Sequence, residues 1–172
     1  EMNYAFGPSI RGYIGSYGNA ILSRYPIIDV ENIFLPVLEG SEGENRSLLK
    51  ARLDLGGGRI INILLTHLSL NLEERREQIK WINQYLEKLE DPYILMGDFN
   101  TEAREVLYYI REEKGGLVSL VDNSKTYPAD LPVKGIDLFF SDGRVTVLEE
   151  YTIDSPASDH LPLYLKISLS AG

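Results

Sequence analysis

The sequence predicts a layered α/β or α+β fold built on a mixed β-sheet. Two observations carry this. Stretches with strand periodicity alternate with two stretches of helical periodicity, and a glycine turn joins two of the strands directly as a hairpin. Such a hairpin disfavours a purely parallel Rossmann sheet. The 172 residues, 44% hydrophobic and 25% charged, have the balance of an ordinary globular protein. A chain of that size is expected to build one core, so residues 1–172 are read as a single domain.

Each element follows from its residues. Ser47 to Leu55 places Leu49, Ala51, Leu53 and Leu55 on one face and Leu48, Lys50, Arg52 and Asp54 on the other, the pattern of a half-buried strand. Gly56, Gly57 and Gly58 turn the chain into Arg59 to Thr66, which is apolar on both faces and reads as a central strand. Asn71 stands three residues before Glu74, the spacing of a capped helix start, and Ile79, Ile82, Leu86 and Leu89 continue a helix over 72–89. Tyr93 to Met96 is a short buried strand that stops at Gly97-Asp98. Thr101 is positioned to cap a second helix carrying Val106, Leu107 and Ile110 and ending at Gly115-Gly116. After a Pro-containing loop over Tyr127 to Gly135 come three further strands, Ile136 to Ser141, Val145 to Ile153 and Pro162 to Leu169. Glu39 to Arg46 reads as one exposed loop.

Composition excludes several functions. There is no cysteine, which removes disulfides, thiolate zinc sites and a cysteine nucleophile. No apolar stretch approaches the roughly 20 residues of a membrane-spanning helix. Glu1 to Tyr13 lacks a basic start followed by an apolar run, so no secretion signal is expected there, and the cytoplasm is the default compartment. A net charge of −9 argues against tethering to nucleic acid or anionic membrane by bulk charge. Phosphate chemistry stays open, because acidic residues around a divalent cation bind phosphate through the metal.

The chemistry-bearing residues sit at strand ends, where layered folds build their sites. The two histidines, His67 and His160, occur in Thr66-His67 after one apolar strand and in Ser158-Asp159-His160 before another. Asp98 and Asn100 end a third strand. Residues two apart in extended backbone project to one side, so their oxygens can converge on an ion or phosphate; the alternative is that they cap the helix beginning near Thr101. Asp137 is a carboxylate opening an otherwise apolar strand, and a buried carboxylate needs a partner, most economically an imidazole. Oxygen-rich ligation beside histidines points to phosphoester hydrolysis assisted by magnesium or manganese. A serine hydrolase is disfavoured, since no Gly-x-Ser-x-Gly turn exists and Ser16 does not supply one.

Five segments in order, Gly18-Asn19-Ala20-Ile21-Leu22-Ser23-Arg24-Tyr25-Pro26-Ile27, Thr66-His67-Leu68, Gly97-Asp98-Phe99-Asn100, Gly135-Ile136-Asp137 and Ser158-Asp159-His160-Leu161-Pro162, resemble the endonuclease/exonuclease/phosphatase superfamily, the pancreatic deoxyribonuclease-like fold. Tyr127-Pro128-Ala129-Asp130 resembles its metal-dependent hydrolase branch. The resemblance implies a four-layered sandwich of two mixed sheets flanked by helices, with the site at one end of the sheets. It implies that His67 contacts the scissile phosphate. Asp98 and Asn100 match the pair that positions the attacking water, the phosphate or a second metal. Asp137 matches the carboxylate that orients His160, which acts on the phosphate or as general base. Asp159 matches a metal-ligating aspartate, while Asn19 and Tyr17 lie where the family approaches the substrate. Arg24 is read as structural.

The chain departs from the pattern at its front. Family members usually begin with strands ending in Asn and in Gln-Glu, whose glutamate is the principal metal ligand. Here Glu1 to Pro8 resembles a later segment, so those strands are expected to be missing, through a trimmed fold or because the chain is a fragment. An exposed sheet edge would then favour pairing between copies. The expected function is divalent-metal-dependent phosphodiester hydrolysis, with nucleic acid, phospholipid or a small phosphate ester as substrate. The alternative is a catalytically inactive or assembly-forming domain with vestigial site residues.

Overall fold

The computed structural model describes residues 1–41, 43–110, 117–122 and 124–169. Its centre is a six-stranded mixed sheet in the order β3-β4-β5-β6-β8-β7. The strands are β3 (Ile27–Phe34), β4 (Ser47–Asp54), β5 (Ile60–His67), β6 (Tyr93–Asp98), β7 (Val118–Ser119) and β8 (Asp137–Ser141). As expected, β4 and β5 form the antiparallel hairpin around the three glycines, from Leu48 opposite Thr66 to Asp54 opposite Ile60. β6 runs parallel to β5, and helix α1 (Leu72–Leu86) makes the crossover that a parallel pair requires. β8 returns antiparallel to β6.

Two different layers cover the sheet. On one face, Ile79, Ile82 and Leu86 of α1 and Val106 and Ile110 of α2 (Ala103–Ile110) pack on Leu48, Leu64, Leu95 and Phe140. Each fully buried leucine here contributes about 2 kcal/mol of hydrophobic stabilisation. On the other face lie two hairpins, β1 (Asn3–Gly12) with β2 (Gly15–Ser23), and β9 (Val145–Thr152) with β10 (Leu163–Leu169). Ala5, Ile21 and Val145 from these hairpins meet Leu49, Ala51, Leu53, Ile61 and Ile94. The hairpins belong to separate two-stranded sheets. Beside β10 runs a groove of about 440 Å³ lined by Leu53, Ile61, Ile63, Ile94, Ile167 and Leu169 among others.

Several expectations are refined. The strand over 47–55 is buried on both faces rather than one, because helices cover the second face and Lys50 lies against the carboxylates of Glu31 and Asp29. α1 starts where expected, with the Asn71 side chain accepting from Glu74 N at 3.1 Å, but ends at Leu86. α2 begins at Ala103, and Thr101 Oγ1 donates to the Glu105 carboxylate at 2.6 Å. Its expected end at Gly115-Gly116 lies outside the described residues. Strands β1, β2 and β3 were not expected. In β1 the inward positions are small, with Ala5 4% and Ser9 7% exposed, while Tyr4 and Phe6 face outward, which inverts the usual hydrophobic pattern.

Gly97 decides how β5 and β6 meet. At φ 138° it lies opposite Thr66, and an added Cβ would come within 1.9 Å of the Thr66 carbonyl oxygen. No flexible side chain is there to yield. Gly97→Ala is therefore expected to cost about 3 kcal/mol, at the upper end of ordinary overpacking, measured as a lower midpoint in urea unfolding. Unchanged stability would contradict the close approach.

Candidate active site

The sheet register builds the site. His67 at the end of β5 is paired with Asp98 at the end of β6, and Asp98 is paired with Asp137 at the start of β8. Three functional side chains thus stand on neighbouring strands at one end of the sheet. Backbone bonds extend the arrangement past the strands, with Leu68 N donating to Asp98 O and Phe99 N to Ile136 O, both at 2.9 Å. His160 arrives on the loop before β10. That loop is fastened to the Tyr127–Lys134 turn by Leu161 N donating to Thr126 O and Ala129 N to Asp159 O, both at 2.8 Å. The Tyr127 ring lies 4.8 Å from the His160 ring.

His160 Nδ1 lies 2.7 Å from Asp137 Oδ2, the carboxylate–imidazole pairing expected from the sequence. Asp98 stands between the two histidines, its Oδ2 3.5 Å from His67 Nε2 and 3.9 Å from His160 Nε2. Its Oδ1 accepts from Asn100 N at 2.8 Å. Asn100 adopts φ 51°, a left-handed conformation that asparagine tolerates, and its side-chain nitrogen donates to Leu68 O at 2.8 Å. This leaves the amide oxygen as its free ligand atom. The Tyr17 hydroxyl lies 3.1 Å from His67 Nδ1 and fixes the outer nitrogen of that ring.

The environments push the two histidines apart. Burial lowers the His67 pKa below its usual value, and the Arg46 charge adds to the effect, over the opposing pull of Asp98. Burial would also lower His160, but the hydrogen bond and charge of Asp137 prevail and raise it. Burial raises the Asp98 pKa, with the Asp137 charge adding, against the Asn100 backbone bond and the two imidazoles. Asp98, Asp137 and His160 each offer a ligand atom within 4.8 Å of one another. Crowded carboxylates of this kind suit a hard divalent cation, which relieves their repulsion.

These residues line a cavity of about 720 Å³, together with Tyr17 and Asp159. Asp159 sits exposed on its rim, outside the Asp98–Asp137–His160 group, with its carboxylate accepting from Ser158 Oγ at 3.3 Å. Asn19 is not among the lining residues. Its side-chain nitrogen donates to Ser47 O at 3.0 Å and Leu65 O at 3.4 Å, which ties β2 to the central sheet. The cavity also exposes groups that the sequence did not single out for the site, notably Glu44, Arg46 and Lys134. Arg46 falls at the end of what reads as a polar loop, and no spacing in that loop marks it.

The chain belongs to the endonuclease/exonuclease/phosphatase family, whose model matches residues 2–160. The family comprises divalent-metal-dependent hydrolases acting on phosphoesters. An uncharacterised protein, YbhP, of Escherichia coli K12 is 29% identical over 179 residues, covering 97% of this chain and 69% of its own length. Among solved structures, a mannosyl-6-phosphatase of Bacteroides thetaiotaomicron superimposes with a TM-score of 0.77 at 16% identity, over 98% of this chain and 77% of that one. The D. rerio TDP2 structure with a single-strand DNA product gives 0.74 at 17% identity, over 96% and 77%. The human Nocturnin catalytic domain with bound sulfate gives 0.73 at 20% identity, over 98% and 73%. These structures share the deoxyribonuclease-like fold.

The Asp137 contact sets a sign that titration can read. In the wild type, His160 is expected to titrate above the ordinary histidine pKa of about 6.5. In Asp137→Asn that charge is gone while burial remains, so the His160 pKa is expected to fall from its wild-type position, although Asp98 and Asp159 still pull it up. NMR titration of the two imidazoles checks this, and an unmoved His160 pKa would contradict the pairing.

Proposed function

We propose that the protein hydrolyses a phosphodiester by in-line attack of water, dependent on magnesium or manganese. The observation that carries this is the convergence of His67, Asp98, Asp137 and His160 at one end of the sheet, in a cavity of about 720 Å³. Asp98 and Asn100 are the residues proposed to hold the cation, with the Asp137 carboxylate within 4.8 Å of Asp98, while Asp159, the metal ligand expected from the sequence, stays on the rim outside that group. The bound cation would supply Lewis-acid polarisation of the phosphoryl oxygens.

The chain's own groups divide the remaining work. His67, braced by Tyr17 on one nitrogen, faces the phosphoryl oxygens with the other and stabilises charge as it develops there. His160 holds its tautomer through Asp137 and takes the proton of the attacking water at Nε2. Asn100 and Asp98 orient the water or the phosphate. Tyr17, on the cavity wall, is the proposed substrate contact, while Asn19 would act only by holding β2, the strand that carries Tyr17, to the central sheet. A rival reading, an assembly domain with a vestigial site, draws on the separate hairpin sheets with their unpaired edges.

Turnover separates the two readings. An aryl phosphodiester is expected to be hydrolysed with magnesium or manganese and not with chelator. His160→Ala is expected to lower kcat by about 10³-fold, within the range for loss of a general acid–base group. Full activity in His160→Ala would overturn its role, and absence of any metal-dependent turnover would favour the assembly reading. The acid limb of the pH–rate profile should lie above the usual histidine pKa, because activity needs neutral His160, and should move to lower pH in Asp137→Asn.

A further inference from the structure

We propose that the mouth of the cavity docks on a zwitterionic phospholipid surface, with Tyr13 and Ile14 at the tip of the β1–β2 hairpin entering the layer. On the phosphoesterase reading, on which this last step rests, the substrate phosphate then belongs to a lipid headgroup.

The hairpin tip carries the proposal. Gly12 pairs with Gly15, so Tyr13 and Ile14 make the turn between them. They are 110% and 104% exposed, no less accessible than in an unfolded chain, and a Cβ added at Gly15 would meet no atom within 4 Å. Two-residue hairpin turns are ordinarily made by Asn, Asp and Gly, which supply the backbone conformations such turns favour. Tyr and Ile bring neither that preference nor buried area, so the fold does not account for them.

The hairpin runs past the reacting end of the sheet. Asn19 of β2 is bonded to Ser47 O and Leu65 O, and Tyr17, two residues nearer the turn, reaches His67 at the end of β5. The same direction continues to the tip, which stands about 7–10 Å beyond Tyr17 at roughly 3.4 Å per residue. Tyr17 is on the cavity wall, so the tip stands at its mouth. Two further loops that line the cavity carry exposed apolar groups. Leu70, on the loop after β5, is itself a lining residue and mostly exposed. Tyr127 and Lys134 line the cavity from a turn closed by Val133 N donating to Tyr127 O at 3.0 Å, and Leu131 and Val133 stand exposed on that turn.

A lipid layer fits this surface better than a protein does. The apolar groups protrude from three separate loops; a rigid partner would need a hollow for each, whereas a fluid layer needs none. Tyr beside Ile suits the headgroup boundary, where the ring is buried and the hydroxyl stays wet. Charge selects the lipid. The chain carries −9, and the cavity sets Glu44, Asp98, Asp137 and Asp159 against Arg46 and Lys134. An anionic surface would repel it, so apolar insertion must supply the binding.

The probes are vesicles of pure phosphatidylcholine, and of an equal mixture with phosphatidylglycerol, co-sedimented with the protein in chelator so that no metal bridges the two. The wild type is expected to bind the zwitterionic vesicles, with no gain from the anionic lipid and no loss at high salt. Joint Tyr13→Ser and Ile14→Ser substitution is expected to weaken partitioning about tenfold or more, the scale of one large apolar side chain withdrawn from the layer. Hydrolysis of a soluble aryl phosphodiester should be unchanged in that variant. In Tyr13→Trp, brominated phosphatidylcholine is expected to quench emission that it leaves intact in the wild type, whose single tryptophan, Trp81, lies on α1. No binding to phosphatidylcholine, equal binding by the double variant, no quenching in Tyr13→Trp, or binding that needs the anionic lipid and is lost in salt overturns the proposal. So does a dimer, seen without vesicles, that the double variant dissociates, since the tip would then belong to a second copy. Metal-dependent turnover of the soluble diester without vesicle binding sinks the docking alone, and docking without turnover sinks the catalytic reading alone.

Discussion

The close approach of β6 to β5 at Gly97 is the constraint on which the site depends. Register in a sheet has a period of two, so a slip of one residue would turn every side chain on β6 to the opposite face. With Gly97 against Thr66, His67 and Asp98 come abreast, and the next pairing sets Asp98 beside Asp137. The alignment is held from both faces. Leu64 and Leu95 pack under the helices, and Ile61 and Ile94 pack under the hairpins. Apolar burial thereby fixes the relative positions of polar groups that repel one another.

That repulsion is what makes the cluster chemically useful. The Asp137 carboxylate on the adjacent strand adds to the cost that burial puts on ionising Asp98, and two imidazoles flank Asp98. One imidazole is held toward the neutral form by burial and a nearby guanidinium, and the other toward the protonated form by Asp137. Groups of one type with opposed environments are how acid–base roles are divided within a single site. The geometry thus sets the two imidazoles in opposed environments, on which the distinct tasks proposed for His67 and His160 rest.

Much of this was legible because polar residues interrupt apolar strands. Asp98, Asp137 and the two histidines stand where a strand pattern stops or starts, and a carboxylate at such a place needs a partner. The Asn71 cap and the glycine hairpin were legible for similarly local reasons. The front of the chain was not, because β1 buries Ala5 and Ser9 and exposes Tyr4 and Phe6. β3 is the edge strand of its sheet and exposes Ile28 and Val30, so its hydrophobic pattern also misleads. Arg46 and Lys134 gain meaning only from the tertiary wall they share with the site, and the burial of Lys50 follows from Glu31 and Asp29 on β3, a strand that the sequence pattern does not mark.

The register of β5, β6 and β8 brings together, around Asp98, a group of side chains that could hold a divalent cation. Titration of the protein with manganese, followed by the loss of the free-ion signal in electron paramagnetic resonance, tests that capacity most directly. One saturable site is expected in the wild type, weakened about tenfold or more in Asp98→Asn, because the substitution keeps the shape and removes the ligand charge. Binding of equal strength in the two proteins would contradict the account.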